Sequence, residues 1–194
     1  MGGMSIGFRR QGFDCIGLDK VDAGYPYTLL LEDIQEFDGN EWKGKVDVAH
    51  FSPPCQDFSQ ISKSSMVIKL RGPPDPERGM KLVREAVRVL KEMEPRFWTI
   101  ENVKGARKHF YPLLGWPVFH SGPWNLWGKF PKFMLSDSKP LQKTRLGKVT
   151  ASWLDDQNRF DPLASWKRAR IPWQLSEPLA KACKATILGG KPEG

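Results

Sequence analysis

The sequence predicts an α/β fold, a mostly parallel sheet with helices on both faces. Three observations carry that prediction. Short apolar runs of strand length alternate with helical patterns as far as residue 105. One helical pattern, Arg78 to Glu94, is unmistakable. The residues with chemistry to offer fall just past strand-like runs, where parallel α/β sheets carry their ligands. At 194 residues, 40% hydrophobic and 27% charged, the chain has the size and composition of one globular domain.

The elements follow in order. Gly2-Gly3 leads into Met4 to Gln11, a short helix candidate. Asp14 to Asp19 reads as a buried strand ending in an acid. Tyr25 to Leu31 is ambiguous, and Glu32-Asp33-Ile34 closes it. Val46 to Phe51 is the next strand. Gln60 to Glu77 holds Ser, Lys, Gly and the prolines 73, 74 and 76 without an apolar period, and reads as a mobile loop. In the helix Arg78 to Glu94, Met80, Val83, Val87, Leu90 and Met93 recur at three- and four-residue steps. Pro95 ends it, and Phe97 to Ile100 is again strand-like. From Gly105 to Arg170 the pattern decays, with prolines at 112, 117, 123, 131, 140 and 162. Ser176 is placed to cap a last helix with Pro178 in its first turn. Leu179, Cys183 and Ile187 step along one face of it. Gly189 to Gly194 reads as a disordered tail.

The formal charge is +8, and its location is informative. Residues 104–170 hold 13 of the 30 basic residues but only 4 of the 22 acidic ones. The same segment carries Trp116, Trp124, Trp127, Trp153 and Trp166, five of the eight tryptophans. Basic side chains interleaved with flat aromatics suit a polyanion with exposed bases. The alternative is that the tryptophans pack a small core and the lysines are solvated. No apolar run reaches membrane-spanning length, and the N-terminus lacks the regions of a signal peptide. The three cysteines have neither metal-ligand spacing nor an even count, so neither a metal nor a disulfide framework is expected, and a reducing, cytoplasmic setting is the simplest reading. Cys15 and Cys183 sit in apolar patterns as packing residues. His50, His109 and His120 show no spacing for metal or triad work.

Cys55 stands apart. It follows the apolar run Val46 to His50 inside Phe51-Ser52-Pro53-Pro54-Cys55-Gln56-Asp57-Phe58-Ser59. A second run, Phe97 to Ile100, ends in Glu101-Asn102-Val103. A thiol and a carboxyl, each just past a strand, suit a nucleophile and an acid facing one pocket. Gly2-Gly3 before a helix lets bare backbone approach a ligand. Asp19, at a strand end, suits ribose hydroxyls, and Asp33 suits an exocyclic amine. Taken singly, these read more readily as a flexible terminus and two turn residues.

Taken together, the order resembles the C5-cytosine methyltransferase family, whose cofactor is S-adenosylmethionine. The matching pieces are Gly2-Gly3-Met4-Ser5-Ile6-Gly7-Phe8 with Gly12-Phe13, then Asp19, then Asp33-Ile34. Ser52-Pro53-Pro54-Cys55-Gln56 with Phe58-Ser59 matches the nucleophile loop, and Glu101-Asn102-Val103 matches the acid motif. The resemblance implies a Rossmann-like fold of the class I methyltransferase type. Residues 1–105 with 168–188 would form the catalytic domain, and 106–167 a short recognition region.

The resemblance also implies roles. Gly2, Gly3, Met4, Ser5, Asp19, Asp33, Ile34 and Pro53 would hold the cofactor, released as S-adenosylhomocysteine. Cys55 would add to carbon 6 of a cytosine swung out of duplex DNA, and Glu101 would hold N3 from a partly desolvated site. Asn102 would orient the neighbouring backbone, and Pro53-Pro54 would stiffen the loop. Ser52, Gln56, Asn102, Arg159 and Arg168 would contact the substrate. RNA is the alternative substrate, as in the branch that methylates tRNA, and a non-catalytic nucleic-acid-binding relative is a third reading. The chain departs from the family pattern twice. It starts inside the Gly-rich turn, so the preceding strand is expected to be missing. The family's Gln-x-Arg-x-Arg element has no clean copy, only echoes at Gln142 to Arg145 and Gln157 to Arg159, with Arg168 or Arg170 as substitutes.

Overall fold

The computed structural model describes residues 3–59, 68–69, 72–135 and 171–189. Gly2, Arg159 and Arg168, the two Gln-x-Arg echoes, and most of the expected loop after Ser59 lie outside the described residues. The chain divides into two compact units, residues 1–31 with 131–194, and residues 32–130.

In the first unit, helix α1 (Gly3–Arg10) buries Met4, Gly7 and Phe8. It packs against the C-terminal helix α4 (Trp173–Ile187), which buries Leu175, Ser176, Leu179, Ala180 and Cys183. Gly7 permits the close approach: a Cβ there would collide with Ser176 and the Glu177 backbone. Ser176 does not cap α4. The helix begins three residues earlier, after Pro172, and Ser176 is buried within it, donating to the Gly3 carbonyl at 3.2 Å. Strand β1 (Ile16–Asp19) pairs in parallel with β2 (Thr28–Leu31). The expected burial of β1 is not observed. Ile16 is 50% exposed and the other three residues are half-buried. Among the described residues this sheet has two strands.

The second unit holds a four-stranded sheet in the order β3-β4-β6-β5. Strand β3 (Val48–Phe51) runs parallel to β4 (Phe97–Val103). Strand β6 (Trp124–Lys129) runs antiparallel to β4, and β5 (Phe119–Ser121) antiparallel to β6. The sheet is therefore mixed rather than mostly parallel. The reason is local: β5 and β6 are joined by Gly122-Pro123, a connection short enough only for an antiparallel hairpin.

Helix α2 (Pro76–Met93) starts earlier than its apolar period suggests. Asp75 caps it by accepting from the Glu77 and Arg78 amides, with Pro76 in the first turn, so these residues belong to helix rather than loop. Glu94, in the left-handed conformation, ends it before Pro95. Met80, Val83, Leu90 and Met93 are buried as expected, but Val87 is not. Ala86 and Val89 complete the buried stripe. Helix α3 (Arg107–Leu114) drives Phe110 onto Trp127, ring centroids 4.8 Å apart. Trp124 and Trp127 are thus core residues, not ring platforms for bases, whereas Trp116 is exposed. Trp153 and Trp166 lie outside the described residues.

Candidate active site

The parallel register of β3 and β4 decides what meets Cys55. Val48 pairs with Phe97, His50 with Thr99 and Phe51 with Ile100. Continuing that offset past the end of β3 brings Ser52 beside Glu101 and Pro53 beside Asn102. Both junctions are hydrogen-bonded. Ser52 Oγ donates to Glu101 Oε2 at 2.7 Å, and Asn102 Nδ2 donates to the Pro53 carbonyl at 2.9 Å. Glu101 is 8% exposed. It sits within β4 rather than just past it, because β6 pairs with β4 as far as Val103. Asn102 is fully buried, its Oδ1 accepting from the Val103 amide at 2.9 Å.

Cys55 opens a 3-10 turn, Cys55–Asp57, and is half-buried. Its carbonyl accepts from the Phe58 and Ser59 amides at 3.1 and 2.9 Å. Three further contacts pin this turn. Asp57 accepts from the Asp75 amide at 3.0 Å, from Arg78 Nε at 3.1 Å and from Arg78 Nη2. Burial pushes the Asp57 carboxyl up, but the Arg78 hydrogen bond, the Asp75 amide and the Arg78 charge outweigh it and hold Asp57 below the usual carboxylate range. The Phe58 ring is buried edge-on to Phe110, centroids 5.2 Å apart, and lies beside His109. Gly105 leaves room for the Phe58 carbonyl, with which any Cβ would collide. Gln56 and Ser52 are exposed.

The sequence missed three participants, Asn125, Arg107 and His50. Asn125 stands opposite Asn102 in the β4–β6 ladder and is completely buried. Its Nδ2 donates to the Asn102 and Pro123 carbonyls, both at 3.2 Å, and its Oδ1 accepts from Arg107 Nε at 2.7 Å. The available signal was an amide inside the otherwise apolar run Trp124 to Trp127. His50 is the third. Its Nδ1 lies 2.8 Å from Thr99 Oγ1, while its Nε2 is shut off from solvent with no hydrogen-bond partner among the described residues. The residue as a whole is only half-buried, yet enclosure of the imidazole pushes its pKa down to about 4.

The candidate cofactor residues fall in both units. In the first, Gly3 begins α1, Met4 is buried, and Ser5 hydrogen-bonds the Tyr25 hydroxyl at 2.7 Å. Asp19 ends β1, and its Oδ1 accepts from the Val21 amide at 3.1 Å. In the second, Asp33 and Ile34 form a turn after β2. Asp33 Oδ1 accepts from the Gln35 amide, and Arg88 donates to the Ile34 and Phe37 carbonyls at 2.7 and 3.1 Å. Arg88 is itself held by Glu85 and Glu92. Cys183 is fully buried, and burial pushes its thiol up to about 12, in keeping with a packing role. Burial also pushes the Cys15 thiol up, ahead of the neighbouring charges of Arg9 and Asp14. Among the described residues no group of three or more His, Cys, Asp or Glu side chains could hold a metal ion, and no helix is long and apolar enough to cross a membrane.

Comparison with known proteins gives a consistent result. Residues 1–111 match the family model described as C-5 cytosine-specific DNA methylase. A curated relative from Fusobacterium nucleatum, the Type II methyltransferase M.FnuDI, is 37% identical over 112 residues, covering 54% of this chain and 30% of that protein. The Type II methyltransferase M.PspPI of a Psychrobacter strain is 33% identical over 113 residues, covering 54% of this chain and 25% of that protein. A probable DNA (cytosine-5)-methyltransferase of Frog virus 3 is 28% identical over 116 residues, covering 57% of this chain and 52% of that protein. The matches thus span between a quarter and about half of these relatives' lengths.

Proposed function

This chain belongs to the C-5 cytosine-specific DNA methylase family, and from that premise we propose that it methylates carbon 5 of cytosine in DNA with S-adenosylmethionine as donor. The observation that carries the reading is the pair of hydrogen bonds at the ends of β3 and β4. They tie the loop bearing Cys55 to the strand bearing Glu101.

Carbon 5 of cytosine is a poor nucleophile. In the proposed reaction Cys55 Sγ, as thiolate, bonds to carbon 6, and Glu101 supplies a proton at N3, so no negative charge is stranded on the ring. Carbon 5 of the resulting enamine takes the methyl group as its bond to the donor sulfur breaks, leaving S-adenosylhomocysteine. Loss of the carbon 5 proton to a base or water then breaks the Sγ–C6 bond and frees the thiolate, and N3 returns its proton to Glu101. Ser52 orients the Glu101 carboxyl. Asn102 and the Pro53-Pro54 pair fix the loop, so the thiol arrives without further ordering. Gly2, Gly3, Met4, Ser5, Asp19, Asp33, Ile34 and Pro53 are the residues proposed to hold the donor, which when bound supplies an electrophilic methyl group. Because carbon 6 lies inside the base stack, the cytosine must leave the duplex at a cost of a few kcal/mol. The basic segment 106–167 is proposed to supply the compensating phosphate and groove contacts, with Arg159 and Arg168, together with Gln56, as substrate contacts.

The test is covalent capture. Duplex DNA carrying 5-fluorocytosine, incubated with donor, traps the adduct because fluorine cannot leave as a proton does. The reading expects a protein–DNA adduct that resists denaturation and is lost in Cys55→Ala. No adduct at saturating donor and DNA would overturn it.

A further inference from the structure

We infer that Arg107 and Asn125 are positioning residues for the nucleophile loop, acting through Asn102. Four residues form a single line. Arg107 Nε donates to Asn125 Oδ1 at 2.7 Å, Asn125 Nδ2 donates to the Asn102 carbonyl at 3.2 Å, and Asn102 Nδ2 donates to the Pro53 carbonyl at 2.9 Å. The line starts at the first turn of α3, crosses β6 and β4, and ends two residues before Cys55.

The chemistry leaves it one arrangement. Asn125 must present its oxygen to Arg107, since a guanidinium only donates, and its NH2 to the Asn102 and Pro123 carbonyls, which only accept. Asn102 must present its oxygen to the Val103 amide and its NH2 to Pro53. Neither amide can flip without placing like against like. Both asparagines are buried, so each lost bond leaves a polar atom unsatisfied where water cannot reach it. Arg107 is half-exposed, which makes it the solvent-side anchor of an otherwise interior chain. A buried amide chain stabilises less than apolar residues of the same size. Its placement beneath Pro53 accounts for it: it fixes where the loop leaves the sheet. Phe58 and Asp57 anchor the far side of the same turn, so the tether sets the near side and with it the height of Cys55 relative to Glu101.

The inference rests on the proposed function only for its kinetic arm, and the experiment separates the two. The variants are Arg107→Ala, Arg107→Gln and Asn125→Asp in the full chain. Arg107→Gln retains an N–H donor for Asn125 Oδ1. Asn125→Asp keeps the volume and the Arg107 contact but sets a carboxylate oxygen against the Asn102 and Pro123 carbonyls. The first readout is hydrogen exchange at the Phe58 and Ser59 amides, which close the Cys55 turn. It should quicken by about tenfold in Arg107→Ala and Asn125→Asp, with less change in Arg107→Gln, while the Leu90 and Ile100 amides stay protected. The second is methyl transfer to duplex DNA, where kcat should fall by about tenfold with KM for DNA unchanged. Unaltered exchange at Phe58 and Ser59 in both Arg107→Ala and Asn125→Asp overturns the tether. If Asn125→Asp does not fold, Arg107→Ala against Arg107→Gln decides alone. A wild type that transfers no methyl group fails the functional reading, and the exchange data still decide the tether.

Discussion

His50 makes the stability of the 32–130 unit depend on acid. Its Nε2 is enclosed and has no hydrogen-bond partner among the described residues, its Nδ1 is engaged by Thr99 Oγ1, and the folded state holds the ring neutral down to about pH 4. In the unfolded chain an ordinary histidine takes its proton near pH 6.5. Between these values the unfolded state binds more protons than the folded one, so stability is fully present above pH 6.5 and is lost as pH falls towards 4. At 1.36 kcal/mol per pH unit, the loss over that window is about 3 kcal/mol. That is a large share of the 5–15 kcal/mol typical of a whole domain. The assay is urea unfolding of the wild type and His50→Gln at intervals from pH 7 to pH 4. Glutamine keeps a hydrogen-bonding group towards Thr99 and does not titrate. Any fixed cost of the substitution is a constant offset, and the carboxylates common to both proteins cancel. The wild-type advantage should shrink by about 3 kcal/mol on acidification, with its steepest slope near pH 5. Parallel pH profiles would refute the reasoning, since they would mean that His50 is protonated equally in both states.

Other perturbations probe neighbouring links. Ser52→Ala removes the hydroxyl that donates to Glu101 and should lower kcat for methyl transfer by about tenfold with little change in DNA affinity; single-turnover kinetics would read both. Phe110→Ala empties the fully buried site between Phe58 and Trp127 and should cost about 3–5 kcal/mol in denaturant unfolding. Asp57→Asn weakens the Arg78 and Asp75 bonds at the base of α2. Its destabilisation should be largest near neutral pH and shrink below about pH 4, where the carboxyl of the unfolded wild type takes up its proton while the folded one, held lower, still resists; the comparison is of melting temperatures at pH 7 and pH 3.5.

Much of this was legible in the sequence because it is local. The apolar stripe of α2 follows from 3.6-residue periodicity, and the strand-like runs at Val46 to Phe51 and Phe97 to Ile100 from length and bounding residues. Cys55 and Glu101 were marked by their immediate neighbours and by position after those runs. Even the start of α2 carried a local signal, Asp75-Pro76-Glu77, hidden by its neighbouring prolines. Tertiary structure alone decided the rest, because pairing between distant segments leaves no periodic trace in either one. The offset that sets β3 against β4 places Ser52 beside Glu101 and Pro53 beside Asn102. The hairpin β5–β6 turned the sheet mixed, carried Glu101 into a strand interior, and buried Trp124 and Trp127 within a segment whose composition alone suggested an exposed, basic surface. Asn125 shows the same division: its residue type was visible from the start, but its meaning came only from the strand it faces, where a buried amide must find partners of matching polarity.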